Sequence, residues 1–74
     1  AVPMESNDYK VKLGKNIREL RTSQGISQRR FALMVGTNQT YLWRIEKGTT
    51  NVGIDLLYRI ARALDVRVRD LIDF

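Results

Sequence analysis

Cysteine and histidine are both missing from the 74 residues of the chain. Without cysteine there are no disulfides, no thiol catalysis and no cysteine-bound zinc or iron–sulfur cluster. Without histidine the chain also lacks a common metal ligand and the side chain best suited to proton transfer at neutral pH. We therefore expect a protein that is not an enzyme and that has no metal site and no cofactor. At this size we expect no small-molecule ligand either.

Long apolar runs are missing too. No run approaches the roughly 20 residues that cross a bilayer, and residues 1–8 hold no basic stretch followed by an apolar one. We expect a cytoplasmic protein without a membrane partner. A chain of this length has room for one domain, which we place at residues 9–74. Residues 1–8 are expected to be a flexible N-terminal tail or a cloning remnant, because Ala1-Val2-Pro3 precedes Met4.

Positive charge is concentrated in the front two-thirds of the chain. The net charge is +5, from 13 Lys and Arg against 8 Asp and Glu. Residues 9–21 contribute five cations and one acid, and residues 28–47 four cations and one acid. Residues 49–74 are balanced, with four of each. This asymmetry fits a surface that meets a polyanion, although a solvated basic surface would look the same.

Apolar residues recur at helical spacing in five segments, and no stretch alternates as a strand does. Ser27 and Asn38 are suited to cap helix starts, and Gly25, Gly36 and Gly48 to end helices. The pattern predicts an all-α fold of five short helices at residues 9–23, 28–35, 39–47, 54–64 and 67–73. The apolar positions that define them are Leu13, Ile17, Leu20, Phe31, Ala32, Val35, Tyr41, Leu42, Ile45, Ile54, Leu57, Ile60, Ala61, Leu64 and Leu71.

Two of these helices form a candidate helix-turn-helix at residues 28–47. They are joined across a glycine-containing turn, and the outer face of the second is polar. In this motif the second helix enters the major groove of double-stranded DNA and the first lies across the backbone. Generic helical hairpins share much of this spacing.

The residues that carry a family resemblance run from Leu20 to Gly48, L-R-T-S-Q-G-I-S-Q-R-R-F-A-L-M-V-G-T-N-Q-T-Y-L-W-R-I-E-K-G, and continue through L-Y-R-I-A-R-A-L-D-V at 57–66. The chain resembles the Cro/CI-type (XRE) helix-turn-helix regulators over residues 13–72. The resemblance implies a compact, five-helix lambda-repressor-like bundle. It also implies a sequence-specific, double-stranded DNA-binding transcriptional regulator, usually a homodimer on a near-palindromic operator.

The resemblance implies base contacts from the exposed side of the recognition helix, by Gln39, Thr40, Trp43 and Arg44. Gln39 would pair with adenine while hydrogen-bonded to Gln28, and Arg44 would reach guanine or a phosphate. Glutamines are also ordinary exposed helix residues. Trp43 departs from the family, which usually has a small or polar residue there, and a large aromatic could equally be partly buried.

Backbone or buttressing contacts are expected from residues around the two helix starts and the following loop. These are Ser27, Gln28, Arg29, Arg30, Asn38, Tyr41, Lys47, Thr49 and Arg21. Arg29 and Arg30 occupy a first helical turn, where the helix dipole disfavours cations by about 0.3–1 kcal/mol each. A phosphate bound at that helix start would make the two arginines favourable there. If their side chains are exposed and screened by salt, however, the unfavourable energy is small with or without a phosphate.

The family also implies a structural ion pair between Arg21 and Glu46, and a dimer interface near the last helix. The interface candidates are Arg67, Val68, Leu71 and Phe74. Leu33, Met34, Leu56 and Tyr58 stand where relatives have polar residues, and exposed apolar clusters suggest a partner surface. The alternative function is therefore an antitoxin or another protein-interaction module of the same fold, acting mainly through a protein partner.

Overall fold

Five helices make up the computed structural model, which describes residues 8–74. They are α1 Asp8–Ser23, α2 Gln28–Met34, α3 Gln39–Lys47, α4 Ile54–Ala63 and α5 Val68–Leu71. Helix α1 packs against α3 and α5, α2 against α3, and α4 against α5. The all-α five-helix prediction is confirmed. The expected N-terminal tail lies outside the described residues, except that Asp8 already begins α1.

The helix ends differ slightly from the predicted ones. Helices α2 and α4 end one residue early, because Val35 and Leu64 form their C-caps. Helix α5 is shorter than the predicted 67–73. Its N-cap is Arg67, whose N–H donates to the Asp70 carboxylate at 2.9 Å, and the chain leaves the helix at Ile72, where φ is −119°.

One apolar core joins the five helices. Its largest fully buried side chains are Phe31, Ile17, Leu42, Ile45, Ile60, Leu64, Leu71 and Val35. Two expectations for α4 are wrong. Ile54, predicted on the buried face, is 71% exposed, because side chains tilt towards a helix N-terminus and this first residue projects past the helix end. Leu56, expected at the surface, is buried one turn before Ile60.

The close approach of α1 to α3 requires a glycine. A Cβ at Gly14 would lie 2.7 Å from the carbonyl oxygen of Glu46 and closer still to that of Ile45. At the end of α3, Gly48 adopts the left-handed conformation, with φ of 77°, and lies against Val11 of α1. These two glycines bring the backbones of α1 and α3 together and so fix how α3 is presented.

Candidate nucleic-acid interface

Helices α2 and α3 each begin at a capped residue. The Ser27 hydroxyl accepts a hydrogen bond from the Arg30 N–H at 3.1 Å, and the Asn38 side chain accepts one from the Tyr41 N–H at 2.8 Å. Both residues are extended, which directs the chain sharply into each helix. Between the helices the chain turns through Gly36. Local capping thus sets the geometry of a helix-turn-helix at Gln28–Lys47.

Helix α3 has one buried face and one open face. Leu42 and Ile45 are fully buried. The four residues for which base contacts are predicted are all exposed: Gln39, Thr40, Trp43 and Arg44. They form two adjacent rows at spacing i, i+4, so their side chains share one surface. Within the described protomer nothing covers that surface.

Trp43 is half exposed, at 49%, and the Lys47 ammonium lies 5.3 Å from the centre of its ring. A cation at this distance is attracted to the ring face. Trp43 lines a small cleft with Gln28, Gln39 and Thr40. The indole is therefore a wall of the exposed surface rather than a part of the core.

A buried ion pair joins α1 to α3 and lines a cleft together with Trp43. Arg21 Nε and Nη2 donate to the two carboxylate oxygens of Glu46 at 2.7 and 3.0 Å. Both side chains are almost inaccessible, at 9% and 4% exposure. The third guanidinium nitrogen of Arg21 donates to the Ile26 carbonyl at 2.7 Å. The pair that the resemblance implies is present, and Arg21 has every nitrogen engaged within the protomer.

Gln28 has a different partner from the one that the resemblance implies. Its amide donates to Glu46 at 3.0 Å instead of bonding to Gln39. A carboxylate is a stronger acceptor than an amide oxygen, which favours the hydrogen bond from Gln28 to Glu46 over one to Gln39. Gln28 therefore ties the start of α2 to α3, and Gln39 stays exposed beside it.

The start of α2 is strongly cationic. Arg29 and Arg30 are exposed, and the first turn of α2 holds no acidic residue. Neither guanidinium has an ion-pair partner among residues 8–74. Two unpaired cations thus lie at the start of a helix, an arrangement that suits a phosphate.

The loop after α3 is fastened by two hydroxyl groups. The Tyr41 hydroxyl donates to the Asn51 carbonyl at 2.6 Å, and the Thr49 hydroxyl donates to the Arg44 carbonyl at 3.2 Å. Both donors are used inside the protomer, so each residue buttresses the loop. Lys47 stays exposed at its start. Contacts of these three residues with DNA remain predictions.

Leu71 cannot serve as the predicted dimer contact, because it is completely buried in the protomer core. Its carbonyl accepts a hydrogen bond from Asn16 of α1 at 2.9 Å, which links α5 to α1. Of the other candidates, Arg67 is exposed, Val68 is half-buried and Phe74 is 48% exposed. Phe74 shares an open groove of about 480 Å³ with Tyr9, Leu13, Val52 and Ile72, among others.

Arg18 was not among the predicted site residues. It lies one turn before Arg21 on α1 and lines a cleft with Lys47 and Trp43 of α3. The spacing i, i+3 from Arg21 was the available signal, because residues so spaced share a helix face. Of the residues described, none form a cluster of three or more potential acidic metal ligands, and no helix is long and apolar enough to cross a membrane.

The fold and this surface define a helix-turn-helix protein, and comparison with known proteins agrees. The sequence model of the helix-turn-helix family HTH_3 matches residues 17–71. Control protein C.BamHI from Bacillus amyloliquefaciens is 36% identical over 70 residues, which cover 93% of this chain and 86% of that protein.

Solved structures show the same relationship. The restriction-modification controller protein C.AhdI from Aeromonas hydrophila aligns with a TM-score of 0.81 at 39% identity, covering 84% of this chain and 94% of that one. SinR, a master regulator for biofilm formation solved in complex with DNA, gives 0.75 at 33% identity, covering 80% and 95%. The chain belongs to the HTH_3 helix-turn-helix family, and it is a DNA-binding transcriptional regulator.

Proposed function

We propose that the chain binds a near-palindromic operator in double-stranded DNA as a homodimer in the cytoplasm, with α3 of each copy in the major groove. The observation that carries this proposal is the exposed face formed by Gln39, Thr40, Trp43 and Arg44 on a helix whose other face is buried. A recognition helix needs both features, because the buried face fixes the direction in which the exposed face points. The similarity to controller proteins supports the same role.

Different residues would supply specificity and affinity. An exposed glutamine can pair with the N6 and N7 atoms of adenine, and the Arg44 guanidinium can pair with guanine. Arg29 and Arg30 at the start of α2, and Lys47 after α3, would meet phosphates, which position the protein on every sequence alike.

The homodimer would form through the groove beside α5. Tyr9, Ile72 and Phe74 are each 42–48% exposed there, and such a group of exposed apolar side chains suits a partner surface. A second copy related by a two-fold axis would cover both grooves at once and place two α3 helices on the two halves of a palindrome. Arg67 and Val68 lie next to this surface in the sequence and are the remaining interface candidates.

Replacing Gln39 with alanine is expected to separate base reading from backbone binding. The free energy of binding to the preferred duplex should become less favourable by about 1–3 kcal/mol, and the preference at one base pair should relax. Arg30→Ala, in contrast, should weaken binding to all duplexes by a similar factor. Titration of both variants against a panel with single base-pair changes measures the difference. Equal losses on every duplex for both variants would refute the assigned roles.

The alternative, a module that acts mainly through a protein partner, is supported by Leu33 and Met34, which are 73% and 48% exposed on α2. Their replacement with polar residues would then abolish function while leaving DNA affinity intact. The exposed base-reading face has no role in that alternative, so the titration above also discriminates between the two.

A further inference from the structure

A polar cleft of about 390 Å³ opens between α1 and α3. Its lining residues come from three helices: Arg18, Arg21, Gln28, Trp43, Glu46 and Lys47. The smaller cleft beside the base-reading residues Gln39 and Thr40 shares Gln28 and Trp43 with it. The two clefts are therefore neighbours that share Gln28 and Trp43, and the larger one also includes residues of α1.

The charges in the larger cleft do not balance. Glu46 is its only acidic residue, and that carboxylate already accepts hydrogen bonds from Arg21 and Gln28. Because Arg21 neutralises Glu46, the charges of Arg18 and Lys47 are left over. A cleft with two unmatched cations attracts an anion.

Arg18 has no acid within reach on its own helix. The residues three and four positions away are Gly14, Lys15, Arg21 and Thr22. The adjacent Glu19 faces Lys15 instead, at 3.9 Å. In the part of the chain that the structure describes, no other acidic group pairs with Arg18. Arg18 shares a helix face with a second cation, Arg21, and has no acidic partner of its own, so binding an external anion would be favourable.

Lys47 of α3 lines the same cleft. Its ammonium lies over the Trp43 ring at 5.3 Å, which restricts the long side chain to the side of the cleft. The cleft thus has a fork-shaped donor on α1 and a point charge on α3. This combination suits one phosphate group, because arginine binds two of its oxygens and lysine adds charge.

We propose that this cleft is a phosphate seat, in which Arg18 and Lys47 hold one phosphodiester of the DNA strand that borders the groove entered by α3. The inference rests on the proposed DNA binding and adds an α1 residue to the interface. Its consequence is geometric. A phosphate bound between Arg18 of α1 and Lys47 of α3 fixes the depth and tilt of α3 while the base-reading residues make their contacts.

Arg18→Gln tests the seat against Arg62→Gln, which removes the same charge from α4, away from the cleft. The probe is the duplex that the wild-type protein enriches from a random library, titrated at 50–200 mM salt. Arg18→Gln should bind roughly 5- to 20-fold more weakly, between the effect of an exposed ion pair and that of a charged hydrogen bond. The negative slope of log K against log salt should also become less steep by about 0.9, the value of one phosphate contact. Base preferences should not change.

Arg18→Lys should retain the salt slope and recover part of the affinity, because the charge stays while the two-pronged bond is lost. If Arg18→Gln behaves like Arg62→Gln in affinity and slope, the phosphate seat is wrong while DNA binding stands. If Arg18→Gln changes the preferred base pairs, Arg18 reads bases and the seat is equally wrong. If the wild-type protein enriches no duplex, the proposed function itself fails.

Discussion

Glu46→Gln is expected to lower the free energy of unfolding by about 3 kcal/mol, at the lower end of the range for breaking a buried ion pair. The substitution keeps the size of the side chain and removes only its charge. Arg21 would then be left buried beside a neutral amide, with its guanidinium donating to a weaker acceptor. For a domain of this size the loss is a large part of total stability, and it should lower Tm by about 4–8 °C per kcal/mol.

Glu19→Gln is the matched control, because it is the same substitution in an exposed pair. Glu19 and Lys15 are 3.9 Å apart and mostly accessible, so its loss should change stability by less than about 1 kcal/mol. Replacing both Arg21 and Glu46 with methionine should restore much of the stability, since no charge is then buried without a partner. Urea unfolding of the set, followed by circular dichroism, measures these differences. Similar effects of Glu46→Gln and Glu19→Gln would contradict the structural role of the buried pair.

Gly14→Ala is expected to destabilise the protein by about 3 kcal/mol, although alanine is normally the better helix former. In an exposed helix interior the same change adds roughly 0.5–1 kcal/mol of stability. Here the new methyl group would meet the carbonyl oxygens of Ile45 and Glu46, and backbone atoms cannot move aside as a flexible side chain can. The sign of the effect therefore reports whether α1 and α3 are in close contact.

Gly53→Ala serves as the comparison for Gly14→Ala. A Cβ at Gly53 meets no atom within 4 Å, and its φ of −67° is accessible to any residue. We expect a change of less than about 1 kcal/mol, which reflects only the weaker N-cap. Thermal unfolding of the two variants gives the comparison. A Gly14→Ala variant as stable as the wild-type protein would show that the two backbones are farther apart than described.

Sequence alone predicted the features that depend on nearest neighbours. The caps at Ser27 and Asn38 and the limits of α3 follow from residues within one helical turn. Most of the core followed from apolar spacing in the same way. The ends of α5 did not, because Arg67 and Asp70 begin that helix through a contact that its apolar pattern does not reveal.

The failures concern which surface each side chain meets. Apolar spacing predicts that Leu71 is buried, whereas the family resemblance makes it a dimer contact, and the packing of α5 on α4 and α1 shows that it is buried within the protomer. The partner of Gln28 depended on which acceptor of α3 the packing of α2 on α3 brought within reach, and that acceptor is the Glu46 carboxylate. The grouping of Arg18 with Lys47 likewise required the crossing of α1 and α3.

The most direct test of the proposed function is selection of bound fragments from a library of random duplexes by the wild-type protein. We expect one enriched site whose two halves form an inverted repeat, because a two-fold dimer presents two copies of α3 related by rotation. The halves should be about one helical turn, or a whole number of turns, apart. Enrichment of no site, or of sites that the Gln39→Ala variant selects identically, would contradict sequence reading by α3.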